Sequence, residues 1–195
     1  MNLMPYDELN TFKAMVTEYK TAPLTNSEQA RLRLDIEDYI EFLLIEAYVY
    51  GNVQAMQDLG ILDKDPAELI NPDVMEQTIN ERIADKTYKQ RITEYLDDEN
   101  STVDDFTRVA ETDATRVYNA GVVDGGKNSG VPGVRKQWVT AGDERVRDAH
   151  QWLDGVIVPI DEKFYVDGDS AMAPGGFADP ALNCNCRCEI FLIGE

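Results

Sequence analysis

The chain changes character at Gly130, and that change limits the folds open to it. Before it, apolar residues recur at helical spacing; after it, glycine and proline become frequent and short β-like runs appear. Residues 6–20 place Leu9, Phe12, Met15, Val16 and Tyr19 on one helical face. Ala22-Pro23-Leu24 breaks the chain, and Thr25 with Glu28 resembles a capping box opening a long helix over 27–59. Leu32, Leu34, Ile36, Tyr39, Ile40, Phe42, Leu43, Leu44, Ala47 and Tyr48 make that helix apolar on more than one side. Such a helix belongs at the centre of a bundle or docks on a partner. Asn71-Pro72 begins a third helical run reaching Asp97. Ser101 with Asp104 begins a fourth, ending near Val123 ahead of Asp124-Gly125-Gly126.

The expected class is therefore α+β. Residues 1–100 form a helical region offering a partner-docking part. Residues 101–195 form a module made of a helix over 101–124 and a small α+β unit over 131–195 with a short β-sheet. Its strands are expected near 136–140 and 156–160 and at the cysteine segment, with a short helix over 143–153 capped by Asp143 and a loop over 168–182.

All three cysteines, Cys184, Cys186 and Cys188, lie two residues apart ahead of the apolar run Ile190-Phe191-Leu192-Ile193, and His150 is the single histidine. On an extended strand the three thiols share one face. A Cys₃His zinc site from these four residues meets a geometric difficulty. At about 3.3 Å per residue, the outer Cα atoms of such a strand stand ~13 Å apart, too far for one ion unless the strand bends. Two neighbours, such as Cys186 and Cys188, can converge with His150. No Cys-x-x-Cys knuckle is present, and buried small hydrophobes, a metal site and a redox site stay open as readings, the first preferred. A Cys-His-Asp nucleophile system using Asp143, Asp148 or Asp154 has no spacing in its favour, and there is neither a nucleophile elbow nor a phosphate-binding loop.

Charge narrows the partners. With 18 Lys plus Arg against 37 Asp plus Glu, the net charge is −19, and both halves are acidic. Such a surface is repelled by a phosphate backbone and suits docking on basic or mixed protein surfaces. No apolar run is long enough to span a membrane, the N-terminus lacks signal-peptide features, and an odd cysteine count argues against a disulfide framework. A reducing, cytosol-like setting is expected.

The segment Asp143-x-Arg145-Val146-Arg147-x-x-His150 has a plain account on a helix. Asp143 and Arg147 pair at i, i+4, Arg147 neighbours His150, and Arg145 points elsewhere, to a carboxylate or a backbone carbonyl of the adjoining loop. Arg187, opposite the cysteines on their strand, serves the same scaffold.

Together with Trp138-Val139-Thr140, Leu153-Asp154-Gly155, the Phe164 segment and Asn185-Cys186-Arg187-Cys188, that segment resembles the phage Mu F-type minor head protein family, also described as head morphogenesis proteins. The preceding helix, with Arg108-Val109-Ala110-Glu111-Thr112, Arg116 and Asn119-Ala120-Gly121, fits as well, so the resemblance covers about 106–195. One departure stands out: the family places a His-Pro pair before Asn-Cys-Arg-Cys, where this chain has Asn183-Cys184. The resemblance implies a structural, non-enzymatic virion protein located at the portal vertex or the capsid interior, in the host cytoplasm during assembly. Its implied partners are the portal protein, the major capsid protein or the scaffold protein, with packaged DNA touched only indirectly. The alternative is a metal-bound module with hydrolytic or toxin-like effector activity using His150 and the C-terminal cysteines, since domains of this family are joined to effector domains.

Overall fold

The computed structural model describes residues 6–194. Helices α1 (Tyr6–Thr21) and α2 (Asn26–Leu59) are followed by a 3-10 turn at Pro66–Glu68. Then come α3 (Pro72–Ile79), α4 (Tyr88–Asp97), α5 (Val103–Asn128), β1 (Arg135–Val139) and α6 (Asp148–Gln151). The chain finishes through β2 (Ile157–Pro159), β3 (Phe164–Val166), β4 (Asp169–Ala171), α7 (Pro180–Asn183) and β5 (Glu189–Ile193). This is the expected α+β class. No helix among the described residues is long and apolar enough to cross a membrane.

Capping chemistry sets most helix starts. Thr25 and Glu28 close the anticipated capping box on α2, and Asn71 caps α3 with Pro72 at its first position. The run from Pro72 to Asp97 is two helices rather than one. Thr87 and Gln90 form a second capping box, and Ala84 and Asp85 turn at positive φ between the halves. α5 begins at Thr102 with Asp105, one residue later than Ser101 with Asp104. It also runs through Gly125-Gly126 to Asn128 instead of stopping at Val123.

Those glycines are helical because the fold needs closeness, not a turn. α2 and α5 cross through Gly51 and Gly121. A Cβ on either would overlap the facing backbone carbonyl, that of Tyr118 for Gly51 and of Tyr48 for Gly121. Gly125 lies against Ala55 and Asn52, where an added Cβ would stand 2.8 Å from the Ala55 Cβ. Around this crossing Ile40, Leu44, Tyr48, Val117 and Val122 are fully buried. The expected multi-sided burial of α2 is present, while Leu34 and Phe42 remain exposed.

β2, β1 and β5 form an antiparallel sheet in that order, and β3 with β4 a separate hairpin whose second strand falls in the expected loop. Trp138 pairs with Ile190 and both point inward, whereas Phe191 and Ile157 flank Gln137 on the exposed face. β5 is an edge strand, and its outward amides are closed by helix side chains. Asn119 of α5 accepts from Ile190 N at 2.9 Å, and Asp58 of α2 from Leu192 N at 2.9 Å. A covered edge does not recruit a further strand, and these two bonds dock the sheet on the α2–α5 pair.

Candidate functional site

The site lies where β1, α6 and the segment entering β5 meet. Asp179 caps α7 by accepting from Ala181 N, with Pro180 at the first position. α7 ends at Asn183, whose buried amide accepts from Phe177 N at 3.1 Å and donates to Phe177 O at 2.7 Å. Asn185 then turns at φ 54°, and Cys186 N bonds back to Asn183 O. This turn replaces the expected cysteine strand: β5 starts only at Glu189. Cys184 is thereby directed away, half-buried, while Cys186 and Cys188 are buried together.

His150, at 2% exposure, meets both remaining thiols. Its Nδ1 stands 3.5 Å from Cys186 Sγ and 3.5 Å from Cys188 Sγ. All three donor atoms fall within 4.8 Å of one another, and Cys184 is outside the group. The imidazole is held in an aromatic box, 5.3 Å from Trp138 and 5.8 Å from Phe177, with Phe164 5.2 Å beyond Trp138. His150 Nε2 and Trp138 Nε1 are buried without hydrogen-bond partners. A hydrogen bond from Cys188, reinforced by His150, pulls the Cys186 thiol down against burial. The same bond, with burial, pushes Cys188 upward.

The arginine network differs from the helical expectation. Residues 143–147 are not helix, so Asp143 caps no helix and does not pair with Arg147; it accepts from Arg145 N at 3.1 Å in a turn. Asp143 also takes both arms of Arg187 at 2.7 and 2.6 Å, which holds its carboxyl down to about 2. Asp143 is thus the partner of Arg187, the expected scaffold residue. Arg147 precedes α6 and reaches across to the carbonyls of Leu182 and Cys184, the latter at 2.5 Å. Arg145 is largely exposed, with its Nε 3.8 Å from Asp143. Gly155, at φ 76°, donates to Trp138 O at 2.8 Å, closing the loop from α6 onto β1.

Asn119 is the residue whose role the spacing could not reveal. Fully buried, it donates to Cys188 O at 3.2 Å while accepting from Ile190 N, and so fixes where Cys188 sits. The sequence shows it only as part of a motif, because its partners on the β5 segment lie about seventy positions away. Asn183 and Phe177 likewise carried no local signal. Beside the thiols a cleft of about 880 Å³ opens between α1, α5 and the β1–α6 loop, walled in part by Glu111, Thr115, Arg145 and Arg187.

The profile of the Phage Mu protein F like protein family matches residues 73–191. The chain belongs to that family. The match begins well before residue 106, so α3 and α4 lie within the family region although they carry no recognisable motif. Among curated proteins, the chain is 36% identical over 84 residues to an NAD(+)–arginine ADP-ribosyltransferase of Enterococcus faecalis, covering 42% of this chain and 17% of that protein. It is 34% identical over 86 residues to the minor head protein of Bacillus phage SPP1, covering 43% of this chain and 28% of that one. The chain thus spans less than a third of either relative. No solved structure matches it.

Proposed function

We propose that this Mu F-like protein is a minor head component of a phage or prophage, bound at the portal vertex or inside the capsid and acting in head assembly or genome delivery. The observation that carries this reading is the match to the SPP1 minor head protein within a family region covering most of α3 to β5. Its surface supports docking. Trp152 is 82% exposed, and Ile157 and Phe191 lie on the uncovered sheet face. Isolated exposed apolar side chains are ordinary, but a Trp this open, with Ile157 and Phe191 also exposed, suits an interface. The portal protein is the partner we favour, and the acidic chain suits a basic or mixed protein surface better than DNA.

Co-expression with the portal protein of the same phage tests this. Stoichiometric co-purification is expected, weakened by Trp152→Asp with unchanged folding. A chain that stays separate from portal, capsid and scaffold proteins alike would refute the reading.

The transferase relative supports a second reading, in which this module is joined to an effector. The shared stretch is a small part of that protein, and we infer that it is a structural module there too. Absence of NAD-dependent arginine modification by the purified chain is the expected result.

A further inference from the structure

We propose that His150, Cys186 and Cys188 form a three-ligand zinc site whose fourth position opens on the cleft between α1 and α5. The distances fit the ion. With Zn–S near 2.3 Å and Zn–N near 2.0–2.1 Å at tetrahedral angles, each N···S edge comes to about 3.5–3.6 Å. Both edges here are 3.5 Å. A void of about 10 Å³ borders His150, Cys186 and Cys188 and is walled as well by Arg145, Arg147 and Arg187, close to the size of one water-sized sphere.

Donor chemistry selects the metal: thiolate and imidazole favour zinc over magnesium or calcium. Two thiolates and one divalent ion also leave the buried centre neutral, avoiding an unpaired buried charge. Binding releases the thiol protons to solvent with no change of oxidation state.

The frame is already built. Asn119 holds the Cys188 carbonyl, Asn183 O accepts from Cys186 N, and Arg147 grips the carbonyls just before them. Because Asn185 turns Cys184 away, the fourth position is left to water. Three protein ligands plus water is the open arrangement of zinc sites, as distinct from the closed four-ligand one. The void and the cleft share Arg145, Arg147, Cys186 and Cys188 as walls, so an anion entering past Arg145 can replace that water.

Cobalt(II) and zinc titrations of the reduced full chain test the proposal. Cobalt should bind at one equivalent with a thiolate charge-transfer band and the intense visible bands of a tetrahedral site, displaced by zinc. Cys184→Ser should leave zinc affinity unchanged, while Cys186→Ser and Cys188→Ser lower it by ~100-fold or more, with circular dichroism confirming the fold. Azide should shift the visible bands. A reduced wild-type chain without the charge-transfer band, or Cys184→Ser losing as much affinity as Cys186→Ser, overturns the site. Bands insensitive to azide overturn its open position.

Discussion

Replacing Asn119 with Ala removes the residue that ties β5 to α5, and its cost follows from two buried bonds. The side chain is fully buried, accepts from Ile190 N at 2.9 Å and donates to Cys188 O at 3.2 Å. Truncation leaves that amide and that carbonyl unpaired beneath the sheet. A buried polar group stripped of its partner costs about 1–3 kcal/mol, so the pair predicts a loss of roughly 2–6 kcal/mol. For a domain of this size, each kcal/mol lowers the melting midpoint by about 2–4 °C, which sets the expected drop at roughly 4–24 °C. Urea unfolding followed by far-ultraviolet circular dichroism reads the free energy directly, and an unchanged m-value confirms that stability alone has moved. Asn119→Asp sharpens the test. It keeps an acceptor for Ile190 N but turns a carboxylate toward the Thr115 and Cys188 carbonyls, so it should be at least as damaging at neutral pH. Thiol-reagent modification of Cys188 should also accelerate in the Ala variant, because its carbonyl anchor is gone. A loss below about 1 kcal/mol, at the level of an ordinary exposed substitution, would refute the assignment of Asn119 as the pin between helix and strand.

Gly121→Ala should destabilise the chain by about 1–3 kcal/mol or more, since its Cβ meets the Tyr48 backbone rather than a yielding side chain; thermal melts that superimpose on wild type would contradict the close crossing. Asp124 is raised by burial even though Tyr48 donates to it at 2.8 Å. The fold thus holds its proton more tightly than the unfolded chain does. Its penalty grows as pH climbs from the unfolded value near 4 through the raised folded value, and vanishes below that window. Asp124→Asn should therefore be at least as stable as wild type at pH 7 and converge with it near pH 4; an Asn variant less stable at neutral pH would reverse the sign.

Local chemistry made the helical half readable. Capping boxes and Asn-Pro starts depend on residues three or four apart, and they marked α2 and α3 within a residue. Gly125-Gly126 misled for a physical reason. A glycine pair ordinarily ends a helix, but here it admits Ala55 and Leu192 against the α5 backbone, a demand set by partners far along the chain. The same applies at the site. That Cys186 and Cys188 can converge on His150 was readable from spacing. The α7 turn that turns Cys184 away rests on Asn183 and Phe177, and the Arg187–Asp143 pair spans 44 positions. Periodicity carries no information over such separations, so the helical reading of 143–153 supplied Arg147 as the partner of Asp143 by default.

Incorporation into the head is the defining property of a minor head component. Heads assembled from the phage's full set of head genes, purified by gradient and quantified by mass spectrometry, measure it directly. A fixed low copy number of this chain per head, lost when the portal protein is omitted, is the expected result. Heads free of the chain, or a copy number that merely follows its expression level, would contradict it.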